Sequence, residues 1–369
     1  MKHYFLGTAA NYTRKERLIH TFTVGRKQDC RDLEEFLTKK YAGERVVLTK
    51  NGRSALTLAL KAYFNEGDGI IVNGFTCYAV YEAVKAAKMV PIFADIERDN
   101  LNFSIKTLEK VMGAKPRGLI IQNTLGMPVE IGAIEKFAKE HDLTIIEDLA
   151  HATGVKYSDG REVGTVGAAS ALSFGKDKSI DTISGGAVVL RHPFKNVIKA
   201  PGKLPKLSDH LRARFYPLLG AISRELSYVG LGGAWMRMLV KIHWVEKSAD
   251  NKLDLERKIS KFEAKLALKQ LKNLKKSGES LIRDFYLVKD REELLKKLKK
   301  AGYYFEGFWY ERPVSPERYY KKVHFPEEKC PVATEVAKEI INLPKYYSKS
   351  ELERAKEIIK NHLVLEEEK

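Results

Sequence analysis

The sequence predicts an α/β protein: a mostly parallel sheet covered by helices, followed by a smaller C-terminal α+β unit. Two observations carry that prediction. Short, unbroken apolar runs alternate with segments of helical period through the first half, and the alternation stops near Arg191. A strand buried on both faces reads as a continuous apolar run, and strands separated by helices pair in parallel. A chain of 369 residues with 44% hydrophobic side chains has room for about two domains and a buried core, which excludes wholesale disorder.

In chain order, RVVLT (45–49) is a strand and SALTLALKAYF (54–64) a helix. GIIV (69–72) and PIFAD (91–95) are strands on either side of the helix AVYEAVKAAK (79–88). SIKTLEKVM (104–112) is helical, GLIIQN (118–123) a strand, EIGAIEKFAKEH (130–141) a helix and LTIIED (143–148) a strand. ASALSF (169–174) and GAVVLR (186–191) complete the series. After that, 203–244 is basic, then apolar and glycine-bearing. Arg224, Glu225 and Arg237 interrupt it, so no membrane span is expected there. Leu255 to Asn273 reads as one amphipathic helix, and 293–311 as helix, glycine stop and strand. The stretch 334–363 reads as two helices joined by an NLP turn. The expected division is therefore a large domain over 1–190 and a small one over 256–369. Between them, 191–255 is open between a lid, a dimer contact and a membrane-surface element.

Charge and cysteine usage narrow the class. The net charge of +17 is uneven: residues 1–190 hold 26 basic and 23 acidic side chains, and 191–369 hold 39 and 25. A basic second half is compatible with nucleic acid, an anionic membrane surface, a phosphate-bearing substrate or simply solvated lysines on helix faces. No nucleic-acid-binding motif accompanies it, so no nucleic-acid partner is expected. Cys30, Cys77 and Cys330 lie far apart with no CxxC pair, which suits a reducing cytoplasm. The N-terminal stretch lacks the apolar run of a cleaved leader. The nine histidines show no metal-ligand spacing, and no metal is expected.

Four points that follow strands could carry chemistry, because in an open parallel sheet such places line the ligand crevice. Asn51-Gly52-Arg53-Ser54 joins a strand to a helix, where glycine and free helix-start amides can cradle a phosphate. It equally describes an ordinary strand–turn–helix junction. Asp148 ends a strand, with His151 one turn later; a carboxylate there can hold a proton on a heteroaromatic nitrogen, or simply cap a helix. Ser173 ends ASALSF, before Lys178. Desolvation in that loop would lower the amine's pKa and free it for Schiff-base chemistry, whereas an exposed loop lysine, as Lys176 is taken to be, would be inert. Cys77 and Tyr78 follow GIIV and NGFT, where an aromatic covers a flat ring or packs in the core. A phosphate cradle, a carboxylate, a ring-covering residue and an amine nucleophile together are what pyridoxal 5'-phosphate requires. No Walker lysine and no strand-linked GxGxxG is present.

These same segments resemble the DegT/DnrJ/EryC1/StrS family of pyridoxal-phosphate-dependent sugar aminotransferases. The matching runs are NGRSAL (51–56), FTCYAV (75–80), QNTLGMP (122–128), IIEDLAHATG (145–154), GREVGTVGAASALSFGKDK (160–178) and SGGAVVL (184–190). ISKFEAKLALKQL (259–271) and CPVATEVAKEIINLP (330–344) extend the likeness. The resemblance implies a fold-type-I large domain, a homodimer and pyridoxal 5'-phosphate as cofactor. It makes Lys178 the Schiff-base lysine and proton carrier, Asp148 the partner of the pyridine nitrogen and His151 a neighbour of the phenolic oxygen. It places Ser173 with Gly52, Arg53 and Ser54 at the phosphate, and Cys77 or Tyr78 against the ring. Lysine at 178 separates the chain from dehydratase-like members, which carry histidine there.

Two departures stand out. Glu256 and Lys258 occupy the places of an asparagine and an arginine that reach the partner subunit's cofactor in relatives, and 191–255 matches nothing in the family pattern. The reading is an aminotransferase using glutamate as donor and a nucleotide-linked 4-keto-6-deoxyhexose as acceptor. The alternative is a peripheral membrane protein of the same fold that acts on or binds a lipid-linked sugar.

Overall fold

The computed structural model describes residues 4–5, 12–191, 193–227, 229–246, 252–274, 282–305, 309–344 and 349–364. Parts of several expectations lie outside the described residues: 1–3 and 6–11 of the large domain, 192, 228 and 247–251 of the open segment, and 275–281, 306–308, 345–348 and 365–369 of the small domain. Two helices, α1 (Arg14–Phe22) and α2 (Lys27–Lys40), lead into β1 (Arg45–Thr49) and α3 (Gly52–Tyr63). Then come β2 (Gly69–Asn73), α4 (Tyr78–Ala86), β3 (Val90–Ala94), β4 (Gly118–Ile121) and α5 (Ile131–Glu140). β5 (Thr144–Asp148), β6 (Ala169–Ser173) and β7 (Gly186–Leu190) complete a seven-stranded sheet of order β1-β7-β6-β5-β4-β2-β3.

All its pairs are parallel except those of β7, which runs antiparallel to both β1 and β6. Two reversals cancel, so β1, β5 and β6 end at the same edge. Alternation along the strands loads both faces. Val188 and Leu190 join the core under α3 and α4, while Ala187 and Val189 join the one under α2 and α5. That is why the strands read as unbroken apolar runs.

The second half begins with two helices, α6 (Leu207–Ser227) and α7 (Gly232–Lys241), in the stretch that showed no pattern. They pack on each other, with the Trp235 indole N–H donating to Leu219 O at 3.3 Å. Tyr216, Met236 and Leu239 share a small core with Ile183 and Phe262. Helix α8 (Lys261–Asn273) starts later than its periodicity predicts. Ser260 and Glu263 form a capping box there, fixing the first turn. Ala264, Ala267, Leu268 and Leu271 pack with Cys30, Leu33 and Leu37 of α2. By packing, α8 belongs with the large unit, although the sequence boundary at 256 assigned it to the small one.

The remainder has its own core around Val288, Leu294, Leu298, Ile341, Leu343 and Ile359. It comprises β8 (Arg283–Leu287), α9 (Arg291–Lys300), α10 (Pro331–Glu339), β9 (Ile340–Pro344) and α11 (Lys349–Lys360), although α10 turns Ala333, Val336 and Ala337 into the core under α3 and α4. The predicted NLP turn is a correction: 340–344 is a buried strand paired antiparallel with β8. Pro344 stands at its last position, where a missing N–H is tolerated, so the pairing overrides the local turn signal. No helix among the described residues is long and apolar enough to cross a membrane.

Candidate active site

The loops that leave β1, β2, β5 and β6 border one cleft, about 1300 Å³ including its open mouth. Gly52, Arg53, Cys77, Asp148, His151, Ser173 and Lys178 all line it, and Ser54 and Tyr78 do not. Asn51 caps α3 by accepting the Ser54 amide at 2.9 Å. The helix start then lies directly against Ser173: a Cβ on Gly52 would be 2.5 Å from Ser173 Cβ and 2.9 Å from its Oγ. Only glycine permits that approach, which sets a helix start directly beside a hydroxyl, the arrangement of an anion cradle. The Arg53 side chain pairs with Glu82. Ser54 is corrected. It is fully buried, donates to Asp254 O at 2.9 Å and accepts the Asp254 amide at 3.2 Å, anchoring the loop ahead of α8.

Asp148 is 7% exposed and accepts the Ala150 amide at 2.9 Å. Burial pushes its pKa up, against the pull of that amide and of Lys178. Burial also lowers the Lys178 pKa, with Cys77, Asp148 and Asp177 opposing and Arg283 assisting. The two groups thus sense each other inside one poorly hydrated space. His151 Nδ1 accepts the Leu125 amide at 3.1 Å, so its neutral form carries the proton on Nε2, 3.4 Å from the Tyr310 hydroxyl. Burial, reinforced by Lys178 and Arg283, holds its pKa well below the usual value, which keeps the ring neutral. Its ring centre lies 5.0 Å from that of Trp309, with the planes 7° apart.

Of the two candidates for covering a ring, Cys77 lines the cleft. Tyr78 instead stacks on Tyr319 at 4.4 Å and 12°, because its place at the start of α4 faces the small unit. Lys176 also departs from expectation. It lines the same cleft, donates to Glu246 O at 2.5 Å and lies 4.1 Å from the Tyr216 ring centre. Burial lowers its pKa to about 8. It is therefore pinned by the segment above it, whereas Lys178 makes no hydrogen bond among the described residues.

Sequence reasoning missed the residues of that segment: Asp209, Arg212, Tyr216, Trp244 and Glu246 line the cleft from α6 and the chain after α7. Lys50 pairs with Asp209 at 2.9 Å, fastening the cover to the rim, and Arg212 pairs with Glu246 at 3.0 Å within the cover. Glu256 does not line this cleft; it pairs with Lys203 at 2.8 Å on the exposed side. The missed residues carried no local signal beyond the basic composition of 191–250.

The donor set suits pyridoxal 5'-phosphate. The Gly52–Ser173 cradle would hold its phosphate, Asp148 would face its pyridine nitrogen and Lys178 would take its aldehyde carbon. The fold agrees. An aminotransferase structure from Brucella abortus superposes with a TM-score of 0.65 at 19% identity, over 94% of this chain and 93% of that one. The GDP-4-keto-6-deoxy-D-mannose-3-dehydratase of E. coli, solved with hydrated PLP, gives 0.65 at 17%, over 97% and 100%.

The chain belongs to the DegT/DnrJ/EryC1/StrS aminotransferase family, whose model matches residues 17–362. Pyridoxal 5'-phosphate is its cofactor. Among curated proteins it is similar to the GDP-perosamine synthase of Escherichia coli O157:H7, 38% identical over 140 residues, which is 38% of each chain. The match spans about two fifths of the length of such curated relatives.

Proposed function

We propose that this protein moves an amino group from glutamate to a keto sugar, the acceptor being a nucleotide-linked 4-keto-6-deoxyhexose. The observation that carries the reading is Lys178, a buried amine with a lowered pKa, in one cleft with Asp148 and the anion cradle. When bound, the cofactor supplies an electron sink for the carbon losing its proton. The Lys178 amine, freed by the amino donor, would act as the base that takes the α-proton and the acid that returns it. The Asp148 carboxylate would hold a proton on the cofactor's ring nitrogen. A neutral His151, fixed by Leu125 and Tyr310, places a hydrogen-bonding edge on the wall of the cleft. Segment 207–246 limits water access from above. The similarity to a GDP-perosamine synthase supports a nucleotide-linked acceptor.

An absorption spectrum after adding pyridoxal phosphate tests this, with Lys178→Ala and Lys176→Ala alongside. A band near ~420 nm that only Lys178→Ala loses, and that glutamate bleaches, is the expected result. A wild-type protein without it would overturn the reading. Keto sugars offered with glutamate then identify the acceptor. A homodimer belongs to the same proposal, and light scattering at twice the chain mass checks it.

A second reading has its own observation. Val229 is 69%, Leu231 55% and Ile242 53% exposed, and Leu231, Ala234, Met238 and Ile242 recur at helical spacing beside Arg237 and Lys241. Such a face suits an anionic bilayer, and with it a lipid-linked sugar. Co-sedimentation with phosphatidylglycerol vesicles that Met238→Glu abolishes would support it; no sedimentation removes it.

A further inference from the structure

Tyr216, Trp244 and Tyr310 bring rings to the cleft that holds Lys178. Two of them are buried and already covered. The Lys176 amine lies over Tyr216, and Tyr310 meets the Phe75 ring edge-on at 5.0 Å. Trp244 is 40% exposed, and among the described residues no ring or cation covers it and its indole N–H has no acceptor. Its backbone is nonetheless fixed. The Trp244 amide donates to Leu239 O at 2.9 Å, Val245 beside it is buried in the small core of the cover, and Glu246 O accepts Lys176 Nζ at 2.5 Å. A large ring held in place at the mouth of a cleft is a stacking platform whose ordering cost is already met.

We propose that Trp244 stacks on the nucleobase of the acceptor, which makes the cover the element that reads the nucleotide. The proposal rests on the aminotransferase reading with a nucleotide-linked acceptor and deepens it. The acceptor's keto carbon must reach Lys178, which lies with Asp148 on the floor. Its nucleoside, at the other end of the diphosphate, then extends toward the open mouth, where the cover lies. Lys50, Lys176 and Arg212 line this side of the cleft with Asp209 and Glu246, which leaves one positive charge in excess for the diphosphate between them. Every base has a π face, and an indole stacks on it without requiring a particular edge. A lipid-linked sugar carries a diphosphate but no base, so the same ring separates the two classes of acceptor.

The test compares the cofactor-loaded full chain with Trp244→Ala and Trp244→Phe. The ~420 nm band and its bleaching by glutamate should be the same in all three, because that half of the reaction involves no acceptor. Calorimetric titration with guanosine, uridine and thymidine diphosphates should find at least one that binds the wild type more tightly than pyrophosphate does. Its dissociation constant should rise at least about tenfold in Trp244→Ala, and less in Trp244→Phe, which keeps a smaller ring. Pyrophosphate binding should not change in either variant. If no nucleotide outbinds pyrophosphate, if Trp244→Ala leaves the nucleotide's constant where it was, or if pyrophosphate binding falls equally, the assignment of Trp244 is overturned while the aminotransferase stands. A wild type without the band sinks both. Should Trp244→Ala fail to fold, Trp244→Phe carries the same comparison.

Discussion

The floor of the cleft and its cover are built on opposite terms. The floor consists largely of strand ends whose positions the sheet register fixes, with Gly52, Asp148, Ser173 and Lys178 at or within five residues of one. The cover, α6 to Glu246, is held by one ion pair and one ring contact to the rim and by the Arg212–Glu246 pair within itself. One region holds reactive groups short of partners; the other supplies partners. Chemistry concentrates where the sheet leaves groups unsatisfied.

Lysine substitutions break that contrast most sharply. Lys178→Ala, on the floor, should lower turnover at least ~10³-fold, as loss of a covalent nucleophile does. Lys176→Ala, tied to the cover, should keep the bound-cofactor spectrum and most of the rate. If both lose the band equally, floor and cover are not distinct.

Neighbouring acids give the next contrast. Glu147 is fully buried and accepts the amides of Gly164, Val166 and Gly167 and the Tyr157 hydroxyl, between 2.6 and 2.9 Å. Glu147→Gln should cost about 2–4 kcal/mol in urea denaturation, because an amide nitrogen faces donors it cannot satisfy. Asp148→Asn points the other way along the strand. It should reduce turnover about 10²–10³-fold with little change in stability.

Acidity separates the two regions as well. Burial raises the Asp177 pKa from 3.8 to about 7. The folded chain therefore holds a proton there that the unfolded chain has released. This contribution to stability is complete below pH 3.8 and lost as pH rises through about 7. Urea midpoints across that window should fall with pH less steeply in Asp177→Asn than in wild type. Smaller still, Ser54→Ala should cost about 1 kcal/mol and leave cofactor affinity unchanged, while Ser173→Ala weakens that affinity. Arg212→Ala on the cover should change stability by no more than about 1 kcal/mol, since its ion pair is partly exposed.

The strands and helices of the first half were legible because burial on both sheet faces writes itself into local composition. The cradle at Gly52, Asp148 and Lys178 were legible because Asp148 ends such a strand and Gly52 and Lys178 lie within five residues beyond one. Ser54 and Tyr78 were misplaced because adjacent residues on a helix start point different ways, and only the packing around Asp254 and Tyr319 decides which way. Strand β9 was hidden behind a turn-like NLP, since its partner lies far back in the chain at β8.

By itself the sequence determined the sheet, its reactive edge and the cofactor chemistry there, because strand period and turn residues act over a few positions. Only the tertiary structure decided that Arg283, Trp309 and the α6 residues meet those groups. Such contacts join residues from 26 apart, Arg283 to Trp309, to 131 apart, Lys178 to Trp309, and no short-range pattern encodes which faces they turn to one another.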